Sequence, residues 1–157
     1  MSGILFYSVS NGGGNVSEDD IKSIAHIEKE CFSAPWSERA IRSCFDSDAP
    51  PWNFFIAKSD IGCVGYGGIY TVCDCAYVTN IAVIREYRRK GIASKILENM
   101  ITYCKESGIK SLMLEVRVSN SIAIALYKKY GFSAAGISKN HYSLPREDAY
   151  NMCLTIE

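Results

Sequence analysis

The spacing of hydrophobic positions along the chain changes several times, and each change predicts an element. "ILFYSV" (4–9) reads as a strand, and "SNGGGN" (10–15) follows as a flexible connector without a core-forming side chain. Ile21, Ile24, Ala25, Ile27 and Cys31 then recur at helical spacing behind the acidic turn of Glu18, Asp19 and Asp20. A break at Ser33-Ala34-Pro35 leads into "SERAIRSCFDS", a second helix with Ser37 as its N-cap. "NFFIAKS", "IGCVGYGGIYTV" and "CAYVTNIAVI" are rich in β-branched and aromatic residues and predict a meander of three strands. Ile92, Ile96, Leu97, Met100, Ile101 and Cys104 predict a helix with one buried face, ending near Gly108. "SLMLEVRV" is an apolar run of strand length, interrupted by Glu115 and Arg117. "SNSIAIALYKKYGF" is a helix capped by Ser119 or Asn120 and stopped at Gly131. Two closing strands, "SAAGIS" and "AYNMCLTI", flank a polar loop, "KNHYSLPRED". The order β-α-α-β-β-β-α-β-α-β-β predicts an α/β (α+β) fold, a mixed sheet flanked by about four helices.

Length and charge narrow the function. The chain has 157 residues, the size of one domain spanning 1–157. Its 17 basic and 17 acidic residues cancel, so no global field would attract nucleic acid or an anionic membrane. No apolar stretch approaches the roughly 20 residues of a membrane span, and the first residues lack the basic region of a secretory signal, so a cytoplasmic protein is expected. Seven cysteines without a CxxC pair argue against a disulfide framework or a standard zinc site. Cys73 and Cys75, with Cys63 as a third ligand, are the only metal set worth weighing. The histidines His26 and His141 lie far from them in sequence, so reduced thiols and no metal are expected.

An anionic ligand would need a local cluster, and Arg88, Arg89 and Lys90 form the densest one, just ahead of Gly91 and a helix. The first amides of a helix are unpaired and, with the helix dipole, attract anions. Cations at that end oppose the dipole by ~0.3–1 kcal/mol each, so a bound anion would explain their placement. A solvated basic turn explains it as well. The Walker pattern and GxGxxG are both absent.

Arg88-x-x-Gly91-x-Ala93 resembles the Q/R-x-x-G-x-G/A acyl-CoA loop of the GCN5-related N-acetyltransferases, and it follows "TNIAV" (79–83), a strand typical of that superfamily. "LEVRVSNSIAIALYKKYGF" (114–132) closely resembles the signature of its RimI-type ribosomal-protein-alanine N-acetyltransferases. "APWSE" (34–38) and "REDAYNM" (146–152) fall where that group has similar segments. The resemblance implies a mostly antiparallel central sheet. It also implies acetyl-CoA as co-substrate, its pyrophosphate held by Arg88, Arg89, Lys90, Gly91, Ile92, Ala93 and Ser94. The backbones of Ile81, Ala82 and Val83 would line the pantetheine arm, on a strand splayed from its neighbour.

Acyl transfer to an amine needs a base and a proton for the departing thiolate. Glu115, a carboxylate in an apolar strand, is either catalytic or paired with Arg117 on the same strand face. The resemblance implies that it is the general base and that Tyr127 is the acid, while Asn120 contacts the cofactor. By residue type alone, Tyr127 could be core packing, Tyr130 is a competing hydroxyl, and Asn120 could act only as a cap. The implied acceptor is the N-terminal alanine of ribosomal protein S18, approached between the segment around Phe32 to Trp36 and the loop 139–148. Trp36 and Tyr142 are substrate-wall aromatics or core. His141 stands where related sequences often carry a tyrosine next to the one matched by Tyr142. A lysine, polyamine or other small-amine acetyltransferase and a non-catalytic acyl-CoA-binding module are the alternatives. No cysteine has the neighbours of a covalent nucleophile, so direct transfer in a ternary complex is expected.

Overall fold

A computed structural model describes residues 3–10, 16–46 and 51–157. The glycine-rich part of the expected connector, 11–15, lies outside them. The strands are β1 (Leu5–Ser10), β2 (Trp52–Ser59), β3 (Gly62–Val72), β4 (Cys75–Val83), β5 (Ser111–Arg117), β6 (Ser133–Ser143) and β7 (Arg146–Thr155). The helices are α1 (Glu18–Cys31), α2 (Glu38–Ser43), α3 (Ile92–Glu106) and α4 (Ser121–Lys129), and a short 3₁₀ turn spans Arg85–Tyr87. The strands form one sheet in the order β1-β2-β3-β4-β5-β7-β6, antiparallel throughout except between β4 and β5. This is the mixed sheet with four helices that the hydrophobic pattern predicts, and it is mostly antiparallel, as the family resemblance implies.

Local chemistry explains the helix starts. Ser17 and Asp20 form a reciprocal capping box ahead of α1, and Ser37 Oγ accepts from the Ala40 amide to cap α2. Asn120 Oδ1 accepts from the Ala123 amide at the head of α4. Alternation within the strands divides the core between the two faces of the sheet. Phe54, Ile56 and Tyr66 pack with Ile21, Ile24 and Ile27 of α1 and Ile41 of α2. Phe55, Ala57 and Val64 pack with Ile92, Ile96, Leu97 and Met100 of α3 and Tyr127 of α4. Burying an aliphatic side chain contributes roughly 1.5–3 kcal/mol, so the Ile and Leu stripe of α3 anchors its N-terminus beside β4. A Cβ at Gly67 would stand 2.5 Å from Met100 Cε and 2.8 Å from Ile96 Cγ2, so α3 sits this close only because β3 has no side chain there.

The polar segment 139–148 is not the expected loop. β6 runs on to Ser143 and β7 begins at Arg146, leaving only Leu144 and Pro145 to turn. Alternation could not reveal this extension, because its side chains are mostly exposed. Backbone pairing and charge hold it instead. The ladder slips between Ser138 and Tyr142, Asn140 adopts φ 53°, and the Asn140 amide donates to Asp148 Oδ1 at 2.8 Å.

Candidate active site

The sheet opens where the parallel pair of β4 and β5 ends. β4 meets β5 over three residues, Cys75–Tyr77 against Ser111–Met113, and no further. β4 continues along β3 to Val83 with a bulge at Thr79, while β5 continues along β7 to Arg117. The strands therefore diverge beyond Tyr77, and on that side Ile81, Ala82 and Val83 face a cleft of about 530 Å³. The tail of α1 supplies Cys31 and Phe32 to it, the following turn Tyr87, Arg88, Arg89 and Gly91, and α3 Ile92, Ala93 and Ser94. Across from these, α4 contributes Ile122, Ala123, Leu126 and Tyr127, with Asn120 at its cap.

The turn could hold an anion. Arg89 and Gly91 both lie in the left-handed region, at φ 61° and 78°, which folds the chain tightly into α3. The first intrahelical bond runs from the Lys95 amide to the Gly91 carbonyl. The amides of Ile92, Ala93 and Ser94 thus have no acceptor within the helix, no side chain caps them, and no acid occupies the first turn. The three cations differ. Arg88 folds back, its Nε donating to the Val83 carbonyl at 2.8 Å and its Nη2 to Cys31 Sγ at 3.5 Å. Lys90 lies over the Tyr87 ring, 4.9 Å from its centroid, and does not line the cleft. Arg89 does line it.

At the other end, Tyr127 is 8% exposed and packs against Phe132, with ring centroids 5.6 Å apart. Burial, with a contribution from nearby Tyr142, pushes its phenol up to about 12. Burial also raises Tyr142; Arg117 opposes that rise, while Glu115 and Glu147 add to it. Tyr142 therefore sits within electrostatic reach of both Tyr127 and Glu115. Glu115 itself projects from the open face of β5, between the buried Leu114 and Val116.

Its partner is not Arg117. The two share a strand face as the period requires, yet Arg117 bonds Glu147 at 3.3 Å and the carbonyls of Leu144 and Pro145, and stacks 4.1 Å above the Tyr142 ring. Ser119 and Arg117 together hold the Glu147 carboxyl below its usual range. Glu115 Oε2 instead lies 3.1 Å from His141 Nδ1. The polar hairpin supplies the competing acid, and a reading confined to β5 could not see it.

Trp36 is elsewhere, its amide donating to Glu28 Oε1 at 2.8 Å and its ring set edge-on to Trp52 at 5.7 Å. The two segments expected to flank the acceptor nevertheless meet, because Ser33 Oγ donates to the Leu144 carbonyl. Sequence reasoning missed Cys31, Tyr87, Ile122, Ala123 and Leu126. Ile122, 79% exposed, carried the one available signal: an apolar residue at the start of a helix with no packing duty. Tyr130 is outside the cleft, its hydroxyl bonded to Glu98 Oε2 at 2.7 Å. Among the described residues no cluster of three or more His, Cys, Asp or Glu side chains could hold a metal ion, and Cys75 Sγ accepts from Ser111 Oγ at 3.2 Å. No helix among them is long and apolar enough to cross a membrane.

Residues 21–132 match the family model of the acetyltransferase (GNAT) family. A putative ribosomal protein bS18-alanine N-acetyltransferase of Bacillus subtilis is 37% identical over 142 residues, 90% of this chain and 93% of that protein. The crystal structure of the ribosomal-protein-S18-alanine N-acetyltransferase from Escherichia coli superposes with a TM-score of 0.82 at 32% identity, covering 98% of this chain and 95% of that one. Arabidopsis thaliana NAA60, crystallised in complex with acetyl-CoA, has the same fold, with a TM-score of 0.83 at 16% identity over 98% of both chains.

Proposed function

The chain belongs to the acetyltransferase (GNAT) family, and from that premise we propose that it acetylates the N-terminal alanine of ribosomal protein S18, or a similar protein N-terminus, using acetyl-CoA. The observation that carries this reading is the cleft where β4 leaves β5. Unpaired helix amides line one part of it, and Tyr127 closes another, in electrostatic reach of Tyr142 and, through it, of Glu115. The residues suit acetyl-CoA. Arg89, Gly91 and the amides of Ile92, Ala93 and Ser94 would hold its pyrophosphate, which carries negative charge to a helix start lacking both acid and cap. Ile81, Ala82 and Val83 would run beside the pantetheine arm, against an apolar wall of Ile122, Ala123 and Leu126. Arg88 contributes by fastening the turn to the end of β4.

Once bound, acetyl-CoA supplies an activated acyl group. Glu115 is the carboxylate of the base machinery, and Tyr127 is the proton donor to the departing sulfur. A phenol near 12 stays protonated at any physiological pH. It lies about 3.5 units above a thiol near ~8.5, so full transfer to a free thiolate would cost about 5 kcal/mol. Tyr127 therefore works chiefly by hydrogen-bonding the sulfur as charge develops on it. Burial raises the Cys31 thiol against the opposing pull of Arg88, which disfavours it as a nucleophile and supports direct transfer.

The relatives in Bacillus subtilis and Escherichia coli are named for S18 alanine acetylation, and amine chemistry agrees. A chain N-terminus titrates near ~8 and lysine near ~10.4, so the base has less work to do at an N-terminus. A ribosomal protein substrate implies a cytoplasmic enzyme. The test offers purified protein a peptide beginning Ala-Arg, the same peptide blocked at its N-terminus, and free polyamines, with products located by mass spectrometry. Acetylation of the free N-terminus alone is expected. Acetylation of lysine in the blocked peptide, or of a polyamine in preference, would refute the assignment.

A further inference from the structure

Arg117 ends β5, opposite Ala149 of β7, and its guanidinium spans the tip of the β6–β7 hairpin. Nη1 donates to the Pro145 carbonyl at 2.9 Å and to Glu147 Oε1 at 3.3 Å, Nη2 donates to the Leu144 carbonyl at 3.1 Å, and the fork lies 4.1 Å over the Tyr142 ring. Four residues around one turn thus bear on a single side chain. The tip has little else to fix it. Residues 139–148 include no fully buried side chain, and beyond the slip that follows Ser138 the strands are paired only through Tyr142 with Glu147 and Ser143 with Arg146. We propose that Arg117 is a positioning residue for the peptide substrate: it holds the hairpin tip as one wall of the entrance for a chain N-terminus and takes no part in acyl transfer itself.

This rests on the acyl-transfer reading above and deepens it. The opposite wall is the segment 32–36, and it is fixed independently. Glu28, 1% exposed, accepts from the Trp36 amide through Oε1 at 2.8 Å and from Asn80 Nδ2 of β4 through Oε2 at 3.0 Å. The two walls share one carbonyl, since Leu144 accepts both from Ser33 Oγ and from Arg117 Nη2. Their spacing is therefore set at Leu144, and Arg117 ties that carbonyl to β5 two residues from Glu115. Glu147 extends the clamp, its Oε2 accepting from the Ser119 amide at 2.7 Å just ahead of the Asn120 cap of α4. Charge alone would not do this. A lysine ammonium is a point charge on a flexible stem, and it cannot present a flat fork to two carbonyls and a carboxylate while stacking on a ring. The Arg117 and Glu147 side chains are 25% and 17% exposed, so water competes little for these bonds. Neither Arg117 nor the hairpin tip lines the cleft between β4 and α4. Loosening the tip therefore displaces the peptide and spares the cofactor.

Steady-state kinetics with the Ala-Arg peptide and acetyl-CoA, each varied in turn, separate the two sites. Arg117→Lys keeps the charge and removes the fork, and it should raise the peptide KM about tenfold while the acetyl-CoA KM stays within about twofold. Ser33→Ala removes the other donor to the Leu144 carbonyl at an exposed position, and it should raise the peptide KM about threefold, again sparing acetyl-CoA. A merely structural role would lower Tm and the active fraction without moving one KM apart from the other. A peptide KM within twofold of wild type in Arg117→Lys, or equal rises in the KM of both substrates, would overturn the inference. Should Arg117→Lys fail to fold, an unchanged peptide KM in Ser33→Ala overturns it instead. These results leave the acyl-transfer reading standing, whereas a wild-type protein inactive on every amine would overturn both.

Discussion

Gly91 and Gly108 offer a matched test of the proposed anion site, because they bracket α3 with nearly the same positive φ. Their φ values are 78° and 73°, and at both positions an added Cβ would meet no protein atom within 4 Å. Alanine at either site therefore costs conformation rather than packing. The left-handed region costs an L-residue about 1–2 kcal/mol, and the narrower unfolded ensemble returns about 0.4–1 kcal/mol. Each variant should lose roughly 1 kcal/mol, or about 2–4 °C in Tm for a domain of this size. The sites flank opposite ends of a 15-residue helix, itself about 22 Å long at 1.5 Å per residue. Only Gly91 adjoins the amides of Ile92, Ala93 and Ser94. Shifting the phosphate by the width of a methyl group forfeits at least one charge-assisted hydrogen bond, about 1.5–3 kcal/mol. Titration calorimetry with acetyl-CoA should show Kd rising about ten- to a hundredfold for Gly91→Ala and staying within twofold for Gly108→Ala. Equal affinities in two equally destabilised variants would return the basic run to an ordinary solvated surface.

Two further outcomes follow from burial. Tyr127→Phe keeps the ring that packs on Phe132 and removes only the hydroxyl, so kcat should fall about 100-fold with acetyl-CoA affinity within twofold; an unchanged kcat would take Tyr127 out of the acid role. Burial raises Cys44 and Cys104 to about 11, Cys63 and Tyr127 to about 12, and Tyr66 further still. Folded values above unfolded ones mean that the unfolded chain loses these protons first, so their stabilisation is complete below about pH 9 and is lost as pH rises through 9 to 12. Urea unfolding should give a nearly constant free energy from pH 7 to 8.5 and a steep fall toward pH 11, and a flat profile to pH 11 would contradict the burial of these groups.

Much of this fold was legible because most elements bury one face. Ile21, Ile24 and Ile27 fix the inner stripe of α1, and Ile92, Ile96 and Met100 that of α3, so periodicity finds both helices. The tip of the β6–β7 hairpin buries little, so its strands were invisible to any hydrophobic count. The same blindness governed the site. The cleft residues from Ile81 to Ser94 are contiguous segments around a glycine turn, and a local motif could find nearly all of them. Arg88 shows the limit of that reading: a motif counts its charge but cannot tell that Nε is bonded to the Val83 carbonyl. Glu115 shows it again, since the rival for Arg117 and the partner for the carboxylate both come from a hairpin some thirty residues on.

One structural break accounts for the separation of the proposed binding residues from the proposed catalytic ones. If β4 and β5 stayed paired past Tyr77, the backbone edge of β4 beside Ile81 would be consumed in the ladder and the cleft would close. Because β5 pairs instead with β7 through Arg117, it carries Glu115 away from β4 and toward the hairpin that bears His141 and Tyr142. Tyr127 lines the cleft and also senses Tyr142 electrostatically, which makes it the side chain that can answer to both strands. Acceptor specificity is therefore expected to follow residues of β6 and β7, while cofactor affinity follows β4 and the start of α3, and exchanges confined to one set should leave the other property intact.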